Sequence, residues 1–491
     1  MSDSQYPLAN RPGQQVAKSA VRQLAVAASL DADRERQRLL ELLARHADDV
    51  IRGLSSWFLI DEDLLERYEG RWDWGQLSNN RALQWSEELI ERYEDRWDWR
   101  GMDKRWAYGL SLNESLPWNP HLIERYEDRW NWTALSKNSG LPWSTELIER
   151  YEDRWDWEGL SHNEAIPWSQ ELIERYEERW AWDSEEPEFS LSFSHAISWT
   201  EELIERYEDR WDWEGLSSNE AIPWSQELIE RYEARWAWDS WTVVGLSISS
   251  NHAIPWTEEL IERYADRWEW EELSSNAALP WSKGLIERYE NRWDWMALSN
   301  NHALPWSEQL IERYKYRWDR DFLSRNEAIP WSQELIERYE DSWVWWLLSC
   351  NHALPWSERL VERYEDLWNW DMLSRNHAIP WTEELIERYA DRWELEELSE
   401  NQALPWSEGL IERFEDRWDW VRLSRNQAVP WNVDILERFH DKLRWSELWC
   451  GQYGTVDQAV HHKKTLYRRV GAVKLDRSFV IELMEKLGQS R

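Results

Sequence analysis

Carboxylates are the groups in this chain best placed to do chemistry. In the stretch WSTELIERYEDRWDWEGLSHNEAIP, Glu149 and Asp153 stand four residues apart, and similar pairs recur along the chain. That spacing puts both on one face of a helix, so the chain carries rows of acids. Such rows attract basic proteins and divalent cations. No loop supplies the dense oxygen cage of a calcium site. His252, His302, His352 and His377 each follow an asparagine directly, which sets them along one edge of a repeat. Neighbours such as His352 and His377 then lie about one repeat apart, roughly 10 Å, too far to share a metal ion. Walker, GxGxxG, HExxH, CxxC and GxSxG patterns do not occur. The sequence therefore names no catalytic residue, no cofactor and no metal ligand, and a protein that is not an enzyme is expected.

The elements that position these acids repeat. A PW tryptophan falls at Trp281, Trp306, Trp331, Trp356, Trp381, Trp406 and Trp431, always 25 residues apart. A fixed period of this size marks a solenoid whose units pack on their neighbours. Upstream copies are Trp85, Trp118, Trp143, Trp168, Trp199, Trp224 and Trp256, and Ile60 takes the position in the first clear unit. That makes about 15 units within residues 58–440. Residues 1–16 read as a loose polar tail, 17–57 as an N-terminal helical cap, and 441–491 as a C-terminal helical cap or docking module.

Within the unit from Trp143 to Pro167, Pro142 forbids a helix through its position. Ser144 is a natural N-cap, with Glu146 in the first turn. Leu147, Ile148, Tyr151 and Trp155 form one apolar helical stripe, which predicts a helix of about three turns. Glu146 with Arg150, and Arg150 with Asp153, have the spacing of intrahelical ion pairs. Asp156 starts a second, shorter helix, α or 3₁₀ in character. Asn163 follows where the chain must turn, either in the left-handed conformation that asparagine tolerates or bonded to its copy in the next unit. The fold expected is all-α: an α-solenoid, a superhelical array of short two-helix repeats. A β/α solenoid is the alternative, but WDWEGLSSN lacks the alternation of a strand.

Tryptophan supplies the core. The chain holds 46 of them. Burying one removes roughly 150–250 Å² from water, worth about 4–6 kcal/mol before entropy is subtracted. A 25-residue unit with about three such rings is stable despite its size.

Formal net charge is −38; residues 1–50 balance and 441–491 sum to +4, so residues 51–440 carry −42. That field repels phosphate backbones and anionic lipid, so direct nucleic-acid binding by the array and membrane association are not expected. Two cysteines, Cys350 and Cys450, cannot build a disulfide framework. With no apolar leader and no apolar run of about 20 residues, a cytoplasmic protein is expected.

Three spacings exceed the period: 33 from Trp85 to Trp118, 31 from Trp168 to Trp199, and 32 from Trp224 to Trp256. The extra residues (101–108, 184–189 and 240–246) enter at one place, before the LS pair, and so leave from one edge of the solenoid. Trp106, Tyr108, Glu185, Phe189, Trp241 and Val243 are candidate partner contacts there. Lys463, Lys464, Arg468 and Arg469 form a candidate C-terminal basic patch. At the second long spacing Ser194 replaces the unit asparagine and Ser198 the proline, which predicts an irregular junction.

The frame NxxxPxxxELIExY resembles the leucine-rich-repeat variant family through Asn163, Pro167, Leu172, Ile173 and Tyr176. The resemblance covers about residues 58–440 and implies alternating α and 3₁₀ helices in a right-handed solenoid. The WDWxxLSxN portion resembles repeats of large DNA viruses and some bacteria. Here the family's Asn-Pro becomes Asn-Glu, Asn-His or Asn-Gln. Repeat class follows from the resemblance; activity does not.

The function expected is a protein-binding scaffold or adaptor whose partner carries a basic surface or peptide. One alternative is a module that stacks a glycan or cation on exposed rings such as Trp106 and Trp241. Another is a sensor subunit of a host-conflict or signalling complex, docked through residues 446–491. Oligomeric state is open.

Overall fold

The computed structural model describes residues 31–101, 109–183, 190–239, 247–445, 448, 469–470 and 473–489. They fall into two compact units. One contains residues 56–62 and 73–394. The other contains the residues up to 55, then 63–72, and those from 395 onward. The chain is an α-solenoid of repeated short helix pairs, with a single two-stranded antiparallel pairing, Arg469–Val470 with Val473–Lys474, among the described residues. Among the same residues no helix is long and apolar enough to cross a membrane.

Each repeat is more compact than its hydrophobic stripe predicts. The first helix runs only Thr145–Arg150. Ser144, in extended conformation, starts it by accepting the Leu147 N–H at 3.2 Å. Tyr151 ends it, and Trp155 lies beyond the helix. A helix this short leaves its last carbonyls unpaired. Trp155 folds back and donates its indole N–H to the Ile148 carbonyl at 3.2 Å. The stripe was a true contact set, but a side-chain cap brings Trp155 to it where a third turn would have.

The second helix, Trp157–Ser161, is α rather than 3₁₀. A 3₁₀ turn replaces it at Leu110–Leu112 and Leu191–Phe193, directly after two of the insertions. The insertions do not disturb the frame. In a regular unit the Leu160 N–H bonds the Asp156 carbonyl at 2.9 Å. The matching bonds across the three insertions are Leu110 to Asp98 (2.8 Å), Leu191 to Ala181 (2.6 Å) and Ile248 to Ala237 (2.8 Å). At the neck of the first, Gly109 has φ +155°, and a Cβ there would lie 2.8 Å from the Gly101 nitrogen, so only glycine fits.

Two buried polar residues bind each unit to the one before. The LS serine donates to the carbonyl four residues back (Ser161 to Trp157, 2.7 Å) and accepts a backbone N–H from the following unit (Ala181, 3.0 Å). The unit asparagine does more. Asn163 donates from Nδ2 to the Ser136 carbonyl at 2.8 Å and accepts the Ala165 N–H on Oδ1 at 2.9 Å. Its own carbonyl receives the Trp168 indole N–H at 3.2 Å. From Asn251 onward the copies also bond one another: Asn251 Nδ2 lies 3.3 Å from the Asn219 carbonyl, Asn276 Nδ2 3.2 Å from that of Asn251 and Asn301 Nδ2 3.4 Å from that of Asn276. The ladder expectation holds. The left-handed one does not: the unit asparagines are extended, as at Asn138 (φ −79°, ψ 113°), and no described non-glycine residue has positive φ. An extended backbone aims the amide at the preceding unit, where two carbonyls need a donor.

The junction at Ser194 is regular, against expectation. Trp199 still donates to the Ser194 carbonyl at 2.9 Å, and Asn219 still reaches the Ser192 carbonyl at 2.9 Å. These bonds end on backbone atoms, so the Asn-to-Ser and Pro-to-Ser changes leave them intact. What is lost is the bond that the asparagine amide makes to the preceding unit elsewhere: the Ser194 hydroxyl is buried with no partner among the described residues.

In the second compact unit the N-terminal segment meets the C-terminal end of the chain. Residues 31–45 are helical, followed by the helix Ala47–Trp57. Arg36 bonds Glu482 at 3.0 Å, Lys486 reaches Glu41 at 3.2 Å and Arg477 reaches Asp63 at 2.5 Å. The helix Arg477–Gln489 thus packs on the chain's own beginning.

Candidate interaction surface

Three rings per repeat build the frame on which the charged groups sit. Trp168 meets Trp180 of its own unit at 4.9 Å, and Trp157 of the preceding unit meets both Tyr176 (5.0 Å) and Trp180 (4.8 Å). Among the described residues Trp346, 49% exposed, is the one exposed indole. Burial raises the phenol pKa of Tyr151 and Tyr176, opposed weakly by the arginine beside each.

The arginines do not pair within their own helix as the spacing predicts. Arg150 reaches back to Glu124 at 3.3 Å, and Glu149 is met by Arg175 of the next unit at 3.0 Å. Neighbouring units offer a partner at closer range than the i+4 position does. A second row uses the RW arginine. Arg179 sits 5.7 Å above the third tryptophan of the preceding unit, Trp157, and binds both Glu152 and Asp153 at 2.9 Å. Its hydrogen bond to Asp153 holds the guanidinium pKa above its ordinary value. Even so, the Asp153 side chain is 89% exposed. Ion pairs this exposed contribute little to stability, so the rows leave acids on the surface and leave them open to a partner.

The histidine edge is also an inter-unit contact. His252 Nδ1 lies 3.2 Å from Glu220, and His352 Nδ1 2.9 Å from Glu327. Among the described residues no three His, Cys, Asp or Glu side chains gather as a metal site. Cys350 is half-buried, and burial raises its thiol pKa, so it is not primed for attack.

Six candidate contacts, Trp106, Tyr108, Glu185, Phe189, Trp241 and Val243, lie outside the described residues, as do Lys463, Lys464 and Arg468. Arg469 opens the two-residue strand paired with Lys474. Sequence reasoning overlooked the arginine row and its breaks. The signal was present: the residue before the middle tryptophan is a cation in most units, but Ser342 and Leu367 stand there in two successive ones.

The architecture is that of a tryptophan-cored α-solenoid with an acidic, arginine-laced surface. Comparison with protein-family models, curated proteins and solved structures returns no match. The likeness to leucine-rich-repeat variants therefore rests on the residue pattern alone.

Proposed function

We propose that the chain is a non-enzymatic binding scaffold, located in the cytoplasm, that holds a basic protein or peptide on its acidic repeat surface. The observation that carries this reading is Asp153: its carboxylate is 89% exposed while paired with Arg179. Copies of that arrangement recur along a frame held by buried rings and backbone bonds, which supplies many spaced acids at little ordering cost. A basic partner gains attraction from the whole field and specificity from the spacing.

Binding of the intact chain to basic and neutral peptides, measured as salt is raised, tests the reading. Affinity for the basic peptide should fall steeply with ionic strength. Salt-independent binding, or none, would overturn it.

A further inference from the structure

The arginine row has a gap that leaves its partners in place. At eleven junctions a cation from one unit lies 4.5 to 5.9 Å above the third tryptophan of the unit before, from Arg96 over Trp74 to Lys442 over Trp420. In nine of them the same cation binds a carboxylate of the preceding unit, and Arg317 instead binds the Asn291 amide oxygen at 3.0 Å. Acids and ring together form a cradle for a guanidinium.

Three junctions break the pattern. At one, Leu395 replaces the ring while Arg417 remains; the other two are successive and break it in different ways. At the first, Ser342 replaces the arginine, but Arg320 has replaced the tryptophan, and Lys315 with Tyr316 has replaced the acids. Cation and cradle vanish together and nothing is left unmatched. At the second, only the cation is gone. Leu367 stands in its place, while Trp345, Glu340 and Asp341 remain. Both acids are exposed, and neither has a cationic partner among the described residues. Trp345 is held as its counterparts are, against Tyr364 at 4.7 Å and Trp368 at 4.9 Å. Its indole N–H bond to the Glu340 carbonyl is solvent-exposed, whereas the matching bonds of Trp157 and Trp370 are part-buried. Trp346, next to it in the sequence, is 49% exposed, and Leu367, in the arginine's place, is 42% exposed, so both present apolar surface.

We infer that Glu340, Asp341 and Trp345 form a preformed receptor for an arginine side chain of a partner protein, with Trp346 and Leu367 receiving the apolar residues beside it. This names the partner's chemistry within the binding-scaffold reading and rests on it. Arginine is favoured over lysine because its planar group can stack on the ring and bind two carboxylates at once. The cradle's eleven filled copies show what geometry it accepts.

The test uses the full chain and a labelled dodecapeptide with one central Leu-Arg-Leu in a glycine-serine background, followed by fluorescence anisotropy. Peptides with lysine or neutral citrulline at the centre are the other arms, and a lysine-only basic peptide reports on the acidic surface at large. Leu367→Arg fills the cradle from within, as at eleven other junctions, and should weaken the arginine peptide by about tenfold. Leu59→Arg adds the same charge at another exposed leucine and should leave that affinity within about twofold. Citrulline should lose most of the binding. Equal effects of Leu367→Arg and Leu59→Arg, or no preference for arginine over citrulline, would overturn the receptor. If the lysine-only peptide binds and the arginine peptide does not, this inference alone falls; if neither binds, the scaffold reading falls too. Thermal melts check that each variant folds.

Discussion

His46 stacks on Trp445, with ring centroids 4.2 Å apart and planes 17° from parallel. Trp445 is the third tryptophan of the last unit, the ring that elsewhere meets a tyrosine and a tryptophan of the unit that follows. Here none follows, and a residue from the N-terminal segment closes the layer, leaving Trp445 4% exposed. Arg38 fixes the same segment through Asp434 at 2.7 Å and Glu437 at 2.5 Å. A terminal repeat must cover its open apolar face, and this chain covers one end with residues from the other end of its sequence.

Mild acid should loosen that contact. Burial, then the neighbouring His440, lowers the pKa of His46, against the weaker pull of Asp49 and Asp441. The folded state therefore binds its proton less readily than the unfolded chain does. Stability from this group is fully present above about pH 6.5 and falls as the pH drops toward the lowered value. Thermal melts of the intact chain should show a lower midpoint at pH 5 than at pH 7, and His46→Phe, which keeps a ring on Trp445, should flatten the difference. Parallel curves for the two proteins would remove His46 as the cause.

Loss of an LS serine should open one junction. Ser299 is fully buried, donates to the Trp295 carbonyl at 2.6 Å and accepts the Asp319 N–H at 2.9 Å. Ser299→Ala leaves a buried donor unpaired, at a cost of about 1–3 kcal/mol. In a solenoid that cost stays near the junction. Hydrogen exchange should quicken at Asp319 and its neighbours while distant units hold their protection. A uniform increase along the chain would mean that the array opens as one body.

Repetition made the architecture legible. The PW tryptophans set the period, Ser144 marked the helix start, and the displaced spacing at Trp118, Trp199 and Trp256 marked which units carry insertions. What could not be read was how helices end and units join. Trp155 sits at helical spacing from Tyr151, and nothing in the pattern says that its indole N–H closes the helix instead of its backbone extending it. Asn163 suits a left-handed turn by type, yet the Ser136 carbonyl of the preceding unit claims its amide. Arg150 has an acid at i−4, but Glu124, 26 residues back in the sequence, takes it. The last two misses favour a local partner over one contributed by a stacked copy. The gap at Leu367 was legible as a break in a column, but it acquired meaning only once Arg179 was found above Trp157.

Tyr151→Phe should leave stability unchanged or raise it slightly. The Tyr151 hydroxyl is buried with no partner among the described residues, and Phe414 and Phe439 fill the same place in other units. Removing an unbonded buried hydroxyl relieves a desolvation cost of up to about 1 kcal/mol. The same burial raises the folded-state pKa of Tyr151, Tyr176, Tyr207 and Tyr232. Unfolded tyrosine releases its proton near pH 10 and the folded copies hold theirs longer, so stability declines as pH rises past about 10. Replacing the four by phenylalanine should move alkaline unfolding, followed by circular dichroism, to higher pH. An unchanged midpoint would place the alkaline weakness elsewhere.

Asn301→Asp should be worse than Asn301→Ala, although aspartate is the closer shape. Asn301 Nδ2 donates to the carbonyls of Ser274 at 2.9 Å and Asn276 at 3.4 Å. Alanine leaves those carbonyls short of a donor, at about 1–3 kcal/mol. Aspartate sets a buried negative oxygen against two carbonyl oxygens, which adds repulsion and the cost of burying an unpaired charge. A protonated aspartic acid regains a donor, and its environment raises its pKa. The Asp variant should therefore recover toward the Ala variant as pH is lowered from 7 to 5, before the wild-type array weakens by as much. The Trp306 indole, bonded to the Asn301 carbonyl at 2.9 Å, offers a fluorescent report of the same junction. An Asp variant as stable as Ala at pH 7 would mean that water enters the ladder and screens the charge.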